Sequence, residues 1–403
     1  MDEKLRSLEF SMTIGCKLQC KYCPQDLLIK EYRKNKSKNN YIFKFEDFKK
    51  CLSQVEKGGE ISFCGMSEPF HNRECADMIV YADKMGYKIS LLTTLVGMTD
   101  EDFEKIKDIK FDSFVLHIPD EEGHSKFVIT EDYLKLLKKI NSKIKIDYYS
   151  CHGTVNSAVE NIIDKNKFAG ISVMNRAGNL NIEGAISKNA KGEIVCCSGS
   201  MKNLSGWSPV VFPDGSLVLC CMDYGMKHIL GNLINQTWHE ISQGKEYIKF
   251  IKGLSDDNID ILCRNCTSAL EIENLPAMKI KRLVNKINKE ELIKEKLSKY
   301  PNIKVLAKCK NVCIFGLGKL FYDHYFQFHW NELFNASYFS DNNQDKWGTE
   351  INGIKVINPL TLGKIDDLLV ITFVKNDYEI RKQLEKMEIK EIININELQE
   401  ELL

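Results

Sequence analysis

Between residues 8 and 176 short apolar runs alternate with helical patterns, and this alternation restricts the fold more than any other feature. The runs are Leu8–Ile14, Glu60–Phe63, Lys88–Leu92, Ser113–Ile118, Lys143–Tyr149 and Gly170–Met174. Between them lie helical patterns at Phe45–Glu56, Asn72–Met85, Asp100–Ile109 and Glu131–Ile140. Repeated βα alternation implies an α/β fold with a parallel sheet and right-handed crossovers. Six units in roughly 170 residues are too few for a closed eight-unit barrel, which takes about 250. An open (βα)6 partial TIM barrel is therefore expected. Chemistry in such architectures sits at the C-terminal ends of the strands. Three cysteines, Cys16, Cys20 and Cys23, follow the first run at C-x3-C-x2-C spacing.

Three thiolates on one loop do not complete a structural zinc site, which takes four protein ligands. No Cys or His lies between Cys23 and Cys51 to supply the fourth. Three thiolates can instead hold three irons of a [4Fe–4S] cube and leave the fourth open. Half of a zinc site, or ordinary buried thiols, are the competing readings. The spacing, with Tyr22 before the third cysteine, closely resembles that of the radical SAM enzymes. The resemblance implies that the open iron binds the amino and carboxylate groups of S-adenosylmethionine (SAM). It also implies reductive cleavage of SAM to methionine and a 5′-deoxyadenosyl radical.

The same resemblance extends to Phe63-Cys64-Gly65-Met66-Ser67-Glu68-Pro69, after the second run. Radical SAM enzymes carry a glycine-rich turn there, ending in Glu-Pro, whose backbone and acid meet the SAM ammonium. Gly65 and Glu68 match, while Met66 and Ser67 replace glycines common at this turn. Thr93, after the third run, falls where the family often places a polar group on the SAM ribose. His117 in the fourth run and Arg176 after the sixth are further polar groups at strand ends. His117 is equally readable as a core histidine. Arg176 offers a fork suited to a carboxylate, of SAM or of a substrate. Cys151 follows the fifth run, where its thiol would face the mouth as a hydrogen-atom donor or simply fill the core.

The 403 residues suggest two to three domains. Lysine plus arginine balances aspartate plus glutamate at 56 each, so no global charge argues for nucleic acid or acidic membrane as partner. The absence of a signal-type h-region and of an apolar run near 18 residues predicts a cytoplasmic protein without a membrane span. Fifteen cysteines in a reducing compartment point to metal rather than disulfides. The lysine- and asparagine-rich stretch 30–40 reads as a solvated loop.

From about residue 190 the texture changes. Trp207–Phe212 and Ser216–Cys221 flank Pro213-Asp214-Gly215, a hairpin turn. Cys196-Cys197, Cys220-Cys221 and Cys263-Arg264-Asn265-Cys266 form a second group. This part much resembles the SPASM-type auxiliary-cluster domain of radical SAM enzymes, in Gly215 five residues before Cys220, in the following Cys221-Met222-Asp223-Tyr224, in Leu230-Gly231-Asn232-Leu233 and in the closing C-x2-C. The resemblance implies one auxiliary [4Fe–4S] cluster on Cys197, Cys220, Cys263 and Cys266, in a shortened version of the domain. Zinc suits four thiolates as well, and Cys196 and Cys221 are the alternates at the paired positions.

The lysine-rich stretch 276–308 reads as a helical connector. Strands at Asn311–Phe315, Ala336–Ser340, Asp367–Phe373 and Lys390–Ile395 then suggest a Rossmann-like α/β domain. Its Gly316-Leu317-Gly318 turn has Phe321 where a dinucleotide fingerprint needs a third glycine. The stretch resembles a small nucleotide-binding-like domain of polysaccharide-biosynthesis proteins. The expected organisation is thus 1–185 partial barrel, 186–275 small α+β auxiliary-cluster domain, 276–308 connector and 309–403 Rossmann-like domain.

The expected activity is radical SAM oxidation or epimerisation of a sugar or nucleotide-linked sugar, with flavodoxin or ferredoxin as reductant. Modification of a ribosomal peptide is the enzymatic alternative; only seven residues precede the first run, which leaves no peptide-clasping segment there. A non-catalytic iron–sulfur or zinc scaffold is the alternative from another class.

Overall fold

The computed structural model describes residues 4–35, 40–170, 174–183, 188–195, 208–288, 298–326 and 328–402. Two compact units emerge: Met1–Lys191 with Trp207–Ala269, and Gly192–Gly206 with Leu270–Leu403.

The first unit is built on β1 (Leu5–Phe10), β2 (Val55–Phe63), β3 (Lys88–Thr93), β4 (Ser113–His117), β5 (Tyr148–Cys151) and β6 (Phe168–Gly170). Each is parallel to the next in sequence. In register, Phe10 lies opposite Phe63, Phe63 opposite Leu91, and Leu91 opposite Phe114. This row faces the helices and is buried. The Phe10 ring lies tilted against Phe48 of the helix Phe45–Leu52, centroids 4.7 Å apart, and meets Phe43 edge-on at 5.4 Å. Burial of each such ring contributes on the order of 2 kcal/mol. Because side chains alternate along a strand, the residues between them point to the other face. Leu92, His117, Tyr148 and Ser150 there line a cavity.

The sheet does not stop at β1. After β7 (Ile194–Val195), which belongs to the second unit, β8 (Val210–Val211) pairs parallel to β1, and β9 (Ser216–Val218) and β10 (Ile229–Asn232) follow antiparallel. The result is one nine-stranded sheet in the order β10-β9-β8-β1-β2-β3-β4-β5-β6. The Pro213-Asp214-Gly215 hairpin therefore extends the sheet that carries the first cysteine loop, across the boundary expected at 185. Gly215 has φ +85°, which favours glycine.

Several element boundaries differ from the sequence expectation. A helix, Gln25–Asn35, covers half of the stretch read as a solvated loop. Its Tyr32 is fully buried and donates to the Asn40 carbonyl at 2.6 Å. The apolar face of that helix is interrupted by lysines, which hid it. The fifth strand begins at Tyr148 because the helix Glu131–Lys143 runs further than its periodicity suggested. Residues 171–173 of the expected sixth strand lie outside the described residues.

In the second unit β7 pairs with β11 (Leu270–Glu271). Its main sheet contains β12 (Asn311–Phe315), β13 (Tyr338–Ser340), β14 (Glu350–Ile351), β15 (Ile354–Ile357), β16 (Leu368–Thr372) and β17 (Glu391–Asn394), in the order β14-β15-β13-β12-β16-β17. The expected connector is part of this core. Ala277 and Ile280 of the helix Pro276–Asn288, and Ile303 and Leu306 of Pro301–Lys308, pack with Ile314, Phe339 and Ile371. Among the described residues no helix is long and apolar enough to cross a membrane.

Candidate functional site

Cys16, Cys20 and Cys23 are half-buried on the loop after β1 and border the cavity, of about 300 Å³. The loop is held from the side by the chain after β4. The Lys21 N–H donates to the His124 carbonyl at 2.7 Å, and the Lys126 N–H to the Leu18 carbonyl at 2.6 Å. The Asp120 carboxylate pins His124 through its backbone N–H at 3.0 Å and its ring Nδ1 at 2.9 Å. Burial pushes the Cys20 thiol up to about 12 and raises Cys16 as well, with the neighbouring thiolates adding repulsion. A bound cation would relieve both effects.

The second wall is the turn after β2. Gly65 has φ +58°, and a Cβ there would stand 2.7 Å from the Ser11 Cα, so only glycine fits. Met66 and Ser67, departures from a glycine-rich turn, are accommodated by tertiary partners. Met66 is buried with Ile14, Leu28 and Phe212, and Ser67 Oγ accepts the Thr13 N–H at 3.2 Å. Glu68 is buried, and four donors meet its two oxygens: Thr93 Oγ1 at 2.5 Å, Phe70 N at 3.3 Å, and Thr94 N and Oγ1 at 2.7 Å each. Burial raises its carboxyl, and these donors lower it. Thr93 thus fixes Glu68 as well as lining the cavity.

The far wall is a polar aromatic row. Tyr22 Oη lies 2.6 Å from His117 Nε2, and His117 Nδ1 lies 3.2 Å from Ser150 Oγ. The Tyr22 ring stacks on His152 with centroids 3.5 Å apart. Burial holds the His117 ring down to about 4, so it is neutral near pH 7. Arg176, at φ +48°, directs Nε to the Tyr22 carbonyl at 3.4 Å and Nη1 to Met222 Sδ at 3.8 Å. Cys151 is not among the lining residues. It is fully buried, and its Sγ bonds the Gly153 carbonyl at 2.9 Å. Cys64, directly after β2, is instead a thiol that lines the cavity beside the three-cysteine loop.

Of the second cysteine group, Cys220, Cys263 and Cys266 are buried, and Cys197 lies outside the described residues. His228 joins their loops. Its Nε2 accepts the Leu262 N–H at 3.0 Å, its own N–H donates to Asp223 at 2.9 Å, and its Nδ1 lies 2.6 Å from Glu246. Arg264, inside the Cys263–Cys266 turn, pairs with Asp257 at 2.7 Å and donates to the Gly253 carbonyl at 2.7 Å. The three thiols of the first loop and the three buried thiols of the second group offer donors of the kind that an iron–sulfur cluster takes, and thiolates suit zinc as well.

Parts of this chain match known families and solved structures. Residues 205–267 match the SPASM family, an iron–sulfur cluster-binding domain. Residues 308–393 match the family described as C2185-like, N-terminal. Among solved structures, BtrN in complex with AdoMet and 2-DOIA is 18% identical with a TM-score of 0.44, over 66% of this chain and 94% of its own. SuiB of Streptococcus suis bound to precursor peptide SuiA is 14% identical with a TM-score of 0.44, over 60% and 65%. Native anSMEcpe with bound AdoMet is 16% identical with a TM-score of 0.43, over 70% and 99%. The domain match marks residues 205–267 as similar to an iron–sulfur cluster-binding domain.

Sequence reasoning missed Gln25 and His152, and it placed Tyr224 in the second cysteine segment without its approach to Cys23. The Gln25 amide donates to the Met66 carbonyl and lies 3.5 Å from Cys23 Sγ, while no protein group meets its buried Oε1 among the described residues. Nothing in the local sequence marks these residues; proximity to a cysteine in the folded chain does.

Proposed function

We propose that this chain is a radical SAM enzyme that oxidises or epimerises a sugar or nucleotide-linked sugar at an unactivated C–H bond. The observation that carries the reading is one cavity bordered together by Cys16, Cys20 and Cys23, the Gly65 turn and buried Glu68. When bound, the reduced cluster supplies one-electron cleavage of SAM and, from it, hydrogen-atom abstraction.

The chain's own residues do the rest. Cys16, Cys20 and Cys23 hold the catalytic cluster, and Cys197, Cys220, Cys263 and Cys266 hold an auxiliary one. Gly65 lets backbone carbonyls approach the SAM ammonium. Glu68, locked by Thr93 and Thr94, balances that charge. Arg176 closes the rim near Cys23 with a fork for a carboxylate. Tyr22, neutral His117 and Ser150 form a chain of hydroxyl and imidazole groups that suits the hydroxyls of a sugar ring better than an apolar peptide side chain. The paired walls exclude water from the reacting carbon. A flavodoxin or ferredoxin supplies the electron.

Anaerobic reconstitution tests the reading. The protein should bind about eight irons, two cubes of four. Replacing Cys16, Cys20 and Cys23 together by alanine should leave about half and abolish 5′-deoxyadenosine formation from SAM. Deuterium from a labelled nucleotide sugar should appear in 5′-deoxyadenosine. Label transfer only from a peptide would overturn the substrate, and no SAM cleavage by reduced wild type would overturn the enzyme.

A further inference from the structure

The two cysteine groups are not independent in the folded chain. Tyr224 sits four residues after Cys220, inside the segment that matches the iron–sulfur domain, yet its hydroxyl lies 3.3 Å from Cys23 Sγ, 201 residues away. Its ring is buried among Ile14, Met66 and Phe212, so the phenol has no room to swing away. The turn that presents it is rigid. The Asp223 N–H donates to the Cys220 carbonyl at 3.0 Å, the Asp223 carboxylate accepts the N–H groups of Lys227 and His228 at 2.8 and 2.9 Å, and the Asn179 amide donates to the Met222 carbonyl at 2.7 Å.

The sulfur of Cys23 meets two polar side chains, the Tyr224 hydroxyl and the Gln25 amide. Arg176 stands behind them, joined to Met222 and to the Tyr22 carbonyl. As a free thiol Cys23 donates to the Tyr224 oxygen; as a ligating thiolate it can only accept, so the hydroxyl turns its proton to the sulfur, draws electron density from it and stabilises the cluster that carries the extra electron.

We infer that Tyr224 is a positioning residue which sets the reduction potential of the cluster on Cys16, Cys20 and Cys23, from within the segment that carries Cys220. This rests on the reading that those three cysteines hold a cluster. A charge-assisted hydrogen bond of this kind is worth roughly tenfold in an equilibrium constant, which for a one-electron couple is about 59 mV.

The test uses the full chain, reconstituted anaerobically, with potentials followed by electron paramagnetic resonance. The signal that changes on adding SAM identifies the first cluster. Tyr224→Phe should move its midpoint about 59 mV more negative while iron content and the second signal stay as in wild type. Should Tyr224→Phe lose iron, 3-fluorotyrosine at position 224 serves instead. Its more acidic phenol should move the same midpoint upward. Unmoved midpoints in both proteins, or equal shifts of both clusters, would overturn the inference. A wild type without any SAM-responsive signal would instead overturn the cluster reading on which it stands.

Discussion

Two sheets in this chain each send a parallel strand into a glycine turn, and the turns end differently. After β2, Gly65 with φ +58° is pressed against the Ser11 backbone, and the chain beyond it lines a cavity with Glu68 at its wall. After β12, Gly316 and Gly318 lead into the helix Lys319–His324, and the polar groups of the turn answer one another. The Asp341 carboxylate accepts the Leu317 N–H at 2.6 Å, and Lys346 Nζ reaches the Leu317 carbonyl at 2.6 Å and Asp341 at 3.1 Å. In a dinucleotide site an acid there would be kept for a ribose. Phe321, at the place of a third glycine, is fully buried against Tyr325, Phe339 and Phe373. A glycine turn at a strand end is thus shared by both units. What distinguishes the first is the cavity that it borders together with the three-cysteine loop.

Glycine substitutions give the sharpest contrast. Gly65→Ala must place a methyl 2.7 Å from the Ser11 Cα at a left-handed φ, so a loss on the order of 4 kcal/mol and of SAM-dependent activity is expected in melting and turnover assays. Wild-type stability in this variant would show that the turn has slack. The next effect comes from Glu9, on the cavity-facing parity of β1. Burial pushes its carboxyl up to about 7, partly offset by Cys64 and the Gly65 backbone, and Oε1 has no partner among the described residues. A raised carboxyl means the folded state holds the proton longer. Stability is therefore lost as pH rises from 4.5 to about 7 and is level above. Glu9→Gln should remove that slope and be more stable by about 3 kcal/mol above pH 7, with no difference below pH 4.5. Parallel melting curves across that range would refute it. The smallest change is expected in the second unit. A Cβ at Gly318 meets nothing within 4 Å, so Gly318→Ala should alter stability by under about 0.5 kcal/mol. It should also leave SAM cleavage unchanged. A large activity loss with intact folding would mean that this turn cradles a ligand after all.

The placement of the first cysteine loop was the most legible part of the chain. Cys16, Cys20 and Cys23 follow a strand, as alternation and spacing required, because a parallel sheet puts the ends of its strands on one rim. The order of Gly65 and Glu68 after the second run placed them at the same rim, where both border the cavity. The side that Cys151 takes was not legible, since the strand expected to end at Tyr149 runs to Cys151, which alternates with the cavity-lining Tyr148 and Ser150 and so takes the opposite face. The helix Gln25–Asn35 was hidden because Leu28 and Tyr32 are few among lysines. The stretch 276–308 was legible as helical with a partly buried face, but not as part of the second unit's core, because Ala277, Ile280, Ile303 and Leu306 are sparse in sequence and adjacent only when folded.

By itself the sequence determined the local chemistry: three thiols on one loop, a turn with Gly65 three residues ahead of Glu68, and a strand-helix rhythm of parallel sheet. These follow from spacing, φ preference and periodicity, which act over a few residues. Tertiary structure alone decided that β8 would lie beside β1, and so brought the Tyr224 hydroxyl to the sulfur of Cys23. Strand pairing and the packing around Phe212 set that approach. They act between residues that no local pattern links.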